Sequence, residues 1–370
     1  MNRLQQLHDA GVSIWLDTLS RELLDSRELQ DSSEFETLIR DYAVTGATSN
    51  PTIFAKAITG SDRYDEQIRS AVAAGITEPQ ELFFDLALDD VRHAADLLRP
   101  AHEASGGRDG FISFECTPDL ADDTEGTIEQ ALELWGRLDR PNVMIKVPAT
   151  AAGVPAIEAL TARGVNINVT LLFSVERYQQ VIDAYLAGLE GRAELGGALA
   201  DIASVASFFV SRVDTKANAQ LPEDSELRGR VAIANAHRAY GRFRERFSDQ
   251  RWRKLGEAGA HPQRPLWAST GTKDLSFSDV LYVEELIAPE TINTMPMATL
   301  QAFADHGNVE RALSVDTTAA EETLDRAAQA GVDLDAITAE LEREGVSTFC
   351  DAYSELLDCI KSKLPASANP

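Results

Sequence analysis

Cysteine is scarce in this 370-residue chain: Cys116, Cys350 and Cys359 are the whole set. They are too few and too scattered for a disulfide framework or a zinc ribbon. The six histidines (His8, His93, His102, His237, His261 and His306) show no paired metal-ligand spacing, so no metal site is expected, and no cofactor. No apolar run reaches the roughly 18 residues that a membrane span needs. The N-terminal MNRLQQLHDAG has no signal-peptide apolar region and reads as the start of an amphipathic helix. These absences give the expectation of a cytoplasmic protein. Positive charge is also short, with 34 Lys and Arg against 60 Asp and Glu for a net charge of −26. That balance argues against nucleic acid and anionic membrane surfaces as partners. An anionic substrate would need a local cluster of Arg and Lys to overcome the surrounding field.

Linkers are missing too. No Pro/Ser/Gly-rich stretch divides the chain, and the only low-complexity segment is the short tail 365–370. What is present is a rhythm of short apolar runs alternating with longer helical patterns rich in Ala, Leu, Glu and Arg. Strands are expected at Val12–Leu16, Val44–Thr48, Phe111–Glu115, Val143–Val147, Asn166–Thr170, Ser204–Phe209, Leu266–Ser269 and Thr291–Thr294. Helical stretches between them include Gln80–Leu98, Thr127–Leu138, Val175–Leu189, Leu227–Arg246 and Ser278–Ile287. Eight strands each followed by helical sequence predict a parallel (α/β)8 barrel of the TIM type with additional N- and C-terminal helices. An open doubly wound sheet should carry a glycine-rich phosphate turn after its first strand, and Asp17-Thr18-Leu19-Ser20 is not one. The whole chain, 1–370, is expected to be one barrel domain. Helices Pro296–Asp305, Ala319–Ala330 and Leu334–Lys363 follow the last strand, with 319–363 packed on the barrel and the final helix broken near Gly345.

Barrel strands alternate inward and outward, and catalysis takes place at their C-terminal ends. Polar residues that fall there on one parity are therefore informative. Lys146 shares a face with Met144; Asn166, Asn168 and Thr170 share another; Glu115 goes with Ser113, and Thr48 with Asn50. Asp17 closes the first strand, Ser207 lies late in the sixth and Ser269 ends the seventh. Any one of them has a bland explanation: a rim lysine snorkels, and an Asp after a strand caps a helix. Their coincidence on one face does not follow from capping. A lysine among Met144, Ile145 and Val147 suits an imine-forming nucleophile, because desolvation disfavours the ammonium and frees the amine that attacks a carbonyl. Asp17 and Glu115 could supply acid and base if their environments differ. Asn50 and Asn168 can hold sugar hydroxyls without charge. Cys116, beside Glu115 on the outward parity, reads as packing.

Those residues lie within segments that resemble the transaldolase family. Gly46–Phe54 (GATSNPTIF) looks like its N-terminal signature, and Val143–Thr150 (VMIKVPAT) like the segment around its Schiff-base lysine. In the expected order follow Phe114-Glu115 with Leu120–Thr124, Asn166–Ser174 (NINVTLLFS), Ser204–Asp214 (SVASFFVSRVD), Trp267–Lys273 (WASTGTK) and Asn293–Pro296 (NTMP). The likeness runs from about Val12 into the C-terminal helices and fits the longer branch of the family. It implies a metal-independent transferase of the pentose phosphate pathway. Such an enzyme moves a dihydroxyacetone unit from fructose 6-phosphate or sedoheptulose 7-phosphate to erythrose 4-phosphate or glyceraldehyde 3-phosphate. Carried over by position, Lys146 attacks the ketose carbonyl, Glu115 works with a water held by Thr170, and Asp17 takes the C4 hydroxyl proton. Asn50 and Asn168 grip the three-carbon unit, with Thr48 supporting Asn50. Arg212 and Ser207 match the family's phosphate contacts, with an Arg212–Asp214 ion pair as the alternative for that arginine. In the stretch Ser269–Lys273, Lys273 replaces a usual second arginine and binds as a point charge. The resemblance implies phosphorylated sugars as partners and a monomer or homodimer. Two other readings stay open: a fructose 6-phosphate aldolase-like enzyme, and a catalytically silent sugar-phosphate-binding protein.

Overall fold

A computed structural model of the chain describes residues 2–25, 32–310 and 312–364; the low-complexity tail lies outside them. Eight strands run parallel in sequence order and close into a barrel. They are β1 (Val12–Leu16), β2 (Val44–Thr48), β3 (Ile112–Glu115), β4 (Val143–Pro148), β5 (Ile167–Leu172), β6 (Ser204–Phe209), β7 (Arg264–Ala268) and β8 (Thr291–Met295). All eight expected strands are present, shifted at their ends by no more than two residues. The two-residue shifts are in β5, which runs on to Leu172, and in β7, which takes in Arg264 and Pro265 at its start. It stops before Ser269 because that residue turns to φ 57°. Strand interiors rich in Val, Ile and Leu are buried on both faces, as a parallel sheet wrapped by helices requires.

Helices start where the sequence supplies caps. Ser33 and Glu36 form a reciprocal capping box, and Asn50, Asp123, Ser174, Asp249 and Asp333 each accept a backbone N–H of the first turn. The helix Arg3–Asp9 precedes β1 and buries Leu4 and Leu7. Beyond β8, Met297–His306, Thr318–Gln329 and Leu334–Lys363 complete the chain.

The expected break near Gly345 is absent: Leu334–Lys363 is one helix of 30 residues. The glycine serves close approach instead. A β-carbon there would lie 2.8 Å from a terminal methyl of Leu171 in β5, so the missing side chain lets the helix lie against the barrel rim. Lys216 with Glu340 (3.0 Å) and Glu344 (2.8 Å), Arg177 with Glu342 (3.4 Å) and Lys363 with Asp65 (2.6 Å) hold it across the top.

Inside the barrel, Trp15 of β1 lies directly over Gly46 of β2. Its indole N–H donates to Asp109 at 2.9 Å, which fixes the ring. A β-carbon on Gly46 would come within 2.5 Å of that ring, far inside van der Waals contact. Gly46→Ala is therefore expected to lower the unfolding free energy by about 1–3 kcal/mol, the usual range for overpacking a well-filled core. The reading is a lower urea midpoint at unchanged slope; an unchanged midpoint would mean that the indole is free to move aside.

Candidate active site

A cavity of 390 Å³ opens at the C-terminal ends of the strands. It is lined by Asp17 after β1, Thr48 and Asn50 after β2, Lys146 of β4, Thr170 of β5, Ser207 of β6 and Arg212 in the helix that follows. Ser269 and Lys273 beyond β7 complete the expected set on its wall. Two expected residues do not line it. Glu115 lies beside it, buried against Lys146, and Asn168 lies beneath its floor.

Lys146 is 7% exposed. Strand register places it opposite Glu115 on one side and Asn168 on the other. Its Nζ donates to the Glu115 carboxylate and, at 2.9 Å, to the carbonyl of Ser49. Burial pushes the Glu115 carboxyl above its ordinary value, opposed by the charge of Lys146. Lys146 and Glu115 thus form a buried pair of opposite charges at the cavity wall.

Asp17 is the second carboxyl. Burial raises its pKa, and Lys146, a 3.1 Å hydrogen bond from Thr48 and the charge of Arg212 act in the opposite direction. The Thr48 hydroxyl also shares a 3.0 Å hydrogen bond with Thr294, which anchors the acid's support to β8. A carboxyl whose pKa is raised by burial at the wall of a cavity is a stronger base than an exposed one and a candidate for proton transfer.

Asn50 follows from local chemistry. It is the N-cap of helix Pro51–Thr59, its Oδ1 accepting from the Ile53 N–H at 3.0 Å, with Pro51 at the first helical position. The cap engages Oδ1 and holds Asn50 at the cavity wall. Asn168 is held on both sides: its amide nitrogen donates to the Ser113 hydroxyl at 2.9 Å and its carbonyl oxygen accepts from Ser207 at 2.7 Å. It therefore orients Ser207 from below. Thr170 has a buried hydroxyl with no partner among the described residues, an unmet polar group such as a bound water would satisfy.

Cations gather at the far end. The Arg212 guanidinium lies over the Phe209 ring at 5.3 Å. It does not pair with Asp214, which turns inward to accept from the Ala232 N–H (2.8 Å) and the Tyr282 hydroxyl (3.0 Å). Burial, and next the charge of Arg212, lowers the Lys273 ammonium below its usual value. Two cations sharing a wall this way mark a place for an anion. Cys116 is buried, with its thiol pushed up to about 12, and takes no part as a nucleophile.

Several wall residues carried no signal in the sequence. Phe209, Thr294, Thr299 and Phe349 line the cavity. Phe349 comes from the C-terminal helix, where one aromatic in an amphipathic pattern looks like any other core residue. Two non-glycine residues at the rim, Leu171 (φ 59°) and Ser269 (φ 57°), hold left-handed backbone, a strain typical of functional sites. Ser269 is held there by a 2.9 Å hydrogen bond to Ser211 and by its carbonyl accepting from the Ser211 N–H at 3.1 Å. Among the described residues no group of three or more His, Cys, Asp or Glu is placed to hold a metal ion, and no helix is long and apolar enough to cross a membrane.

The chain as a whole is similar to known proteins. Curated transaldolases of Saccharopolyspora erythraea (52% identical), Thermobifida fusca (49%) and Mycolicibacterium smegmatis (48%) are each similar over 98% of this chain and 98% of their own. The sequence profile described as transaldolase/fructose-6-phosphate aldolase matches residues 14–360. With the barrel closed in that order and a lysine paired to a glutamate at its C-terminal mouth, the chain belongs to the transaldolase/fructose-6-phosphate aldolase family.

Proposed function

We propose that this cavity carries out transaldolase chemistry through an imine on Lys146, the observation that carries the reading being the buried Lys146–Glu115 pair at its wall. The activity is a transferase's: a three-carbon unit passes from a ketose phosphate to an aldose phosphate. With its proton on Glu115, the Lys146 amine attacks the ketose C2 carbonyl to give a carbinolamine. Glu115 returns a proton to the C2 hydroxyl, which leaves as water, and an iminium remains. Asp17 takes the C4 hydroxyl proton, the C3–C4 bond breaks, and its electron pair flows into the iminium as an enamine. The aldehyde product departs. The enamine carbon then adds to the carbonyl of the acceptor, Asp17 returns its proton to the new alkoxide, and water at Thr170 releases the ketose. Asn50 donates to hydroxyls of the three-carbon unit, with Thr48 holding Asp17 in place. Ser207 adds a hydroxyl oriented by Asn168, so Asn168 works by positioning.

At the other end, Arg212 and Lys273 bind the substrate phosphate, with Ser269 shaping the loop between them. The nearby positive end of helix Ser211–Gln220 has the same preference for an anion. A cytoplasmic setting and a monomer or homodimer belong to the same reading, because phosphorylated sugars are intracellular metabolites and the cavity is lined from one chain. Transfer is favoured over simple aldol cleavage by the similarity to curated transaldolases over 98% of the chain.

Borohydride reduction with fructose 6-phosphate tests the core of this. The parent should yield a three-carbon adduct on the peptide holding Lys146, seen by intact mass and peptide mapping, and Lys146→Ala none. Asp17→Asn should instead trap the full six-carbon ketose, since the imine forms but the C3–C4 bond stays intact. A three-carbon adduct in Asp17→Asn would remove Asp17 from the cleavage step.

The phosphate end predicts a pH effect. Lys273 binds phosphate only while protonated, and its pKa is lowered, so KM should rise on the alkaline side well before an ordinary lysine would titrate. Arg212→Ala should raise KM by roughly tenfold or more, in keeping with a lost charge-assisted contact, with kcat nearly unchanged. It should also move the alkaline rise to higher pH, because the neighbouring charge that depresses Lys273 is gone. Steady-state kinetics from pH 7 to 10 on both proteins checks this. A flat KM across that range in the parent would take Lys273 out of the phosphate site.

A further inference from the structure

A second cavity, of 480 Å³, lies at the opposite end of the barrel, where β1, β7 and β8 begin. Nothing in the transferase reading uses it. Its wall includes Arg108, Arg264, His261, Ser13, Asp109 and Glu290, and the charges there are unevenly matched. Glu290 is taken by Arg244. Asp109 accepts from the Trp15 indole N–H and the Gly110 N–H, both at 2.9 Å, and from the Ser13 hydroxyl.

The cations, in contrast, meet neutral acceptors. Arg264 donates to the carbonyls of Arg108 and Thr291, each at 2.9 Å, and to the Ser13 hydroxyl at 2.5 Å. Arg108 donates to the Ser105 carbonyl at 3.3 Å. Among the described residues no carboxylate forms an ion pair with either guanidinium, in a chain whose net charge is −26. Burial lowers the Arg264 guanidinium, and Arg108 lowers it further, while Asp109 and Glu290 act in the opposite direction. His261 stands at the same wall, with Nε2 3.1 Å from the Ala200 carbonyl and its basicity lowered by burial and by Arg108. Two arginines on the wall of one polar cavity, neither in a direct ion pair among the described residues, form an arrangement suited to an oxyanion.

We propose that the N-terminal mouth of the barrel is a second anion site, which takes the phosphate group of inorganic phosphate or of a small phosphate ester between Arg108 and Arg264. Occupancy ties β1, β7 and β8 together at the end remote from catalysis, so its first effect is on stability. The site is independent of the transferase cavity, and its test separates the two.

Thermal unfolding is followed with inorganic phosphate as the probe, at constant ionic strength set with chloride, on the parent, Arg108→Glu, Arg212→Ala and the double variant. A ligand bound only to the folded state stabilises it by RT ln(1 + L/Kd) at free ligand concentration L, so Tm rises with the logarithm of ligand concentration above Kd. The parent should show a phosphate-dependent rise, each single variant should lose part of it, and the double variant all of it. Arg108→Glu should keep kcat within about twofold, since Arg108 is exposed and remote from the cavity of Lys146. Arg108→Gln, which keeps a similar size without the reversed charge, should lose the same part of the rise. In the Arg212→Ala background, glycerol 3-phosphate raising Tm more than inorganic phosphate would name the ester as the ligand, and the reverse the free ion; either supports the site. A rise in Arg108→Glu equal to the parent's, with Arg212→Ala losing all of it, would overturn the second site and leave the transferase reading untouched. Loss confined to Arg108→Glu would support the second site and count against Arg212 as the substrate's phosphate ligand.

Discussion

The ion pair between Lys146 and Glu115 sets the terms for everything around it. Two opposite charges are held away from water, and the desolvation cost of such a pair is recovered only when geometry and further hydrogen bonds are good. Both come from strand register: β3 and β4 align Glu115 with Lys146, and the chain leaving β2 brings the Ser49 carbonyl to the same nitrogen. The Ser49 carbonyl stays in place because the Ser49 hydroxyl donates to the Ser113 carbonyl of β3 at 3.0 Å. A shift of one residue in β3 or β4 would turn one partner into the helix layer and leave the other buried alone. The close packing of the barrel interior is thus what allows a buried lysine–glutamate pair at its mouth.

That interior is layered by chemistry as well as by size. Near the bottom, Trp15 over Gly46 and its bond to Asp109 fill the space. In the middle, Ser113, Asn168 and Ser207 form a chain of hydrogen bonds across β3, β5 and β6. At the top stand the ionisable groups Asp17, Glu115 and Lys146. Each layer restrains the one above it: the Asn168 carbonyl oxygen aims Ser207, and the Thr48 hydroxyl is shared between Asp17 and Thr294. Positions that look equivalent by parity along a strand therefore differ in role according to height in the barrel.

This is also why the sequence revealed some features and hid others. Strand positions followed from β-branched runs between helical patterns, a local signal, and the alternation of Asn168 and Thr170 against Ile167 and Val169 gave the inward face. Proximity across the barrel is not local. Neither Phe349 nor Thr294 could be assigned to the cavity without knowing where the C-terminal helix crosses and how β8 meets β2. Gly345 was misread for a related reason: a glycine in a helical stretch breaks it by propensity alone, and the demand for close approach to Leu171 exists only in three dimensions. Ser269 at positive φ lay beyond reach too, because no local rule places a serine there; the pair of contacts to Ser211 does.

Charge is the remaining constraint, and it acts over the whole molecule. With nearly two acidic residues for every basic one, most arginines are drawn into surface pairs, as Arg137, Arg140, Arg246 and Arg251 are. Such exposed pairs add little stability each, but they use up the positive charge. An arginine kept clear of carboxylates in this setting departs from that pattern, and it happens at both ends of the barrel. At the C-terminal end the aromatic face of Phe209 supports Arg212 where an acid would have neutralised it. At the N-terminal end backbone carbonyls and Ser13 support Arg264, and Arg244 withdraws the nearest glutamate. In both places the fold supplies neutral partners that hold a guanidinium in position without cancelling its charge, which is the physical requirement for attracting an anion to an otherwise repulsive protein.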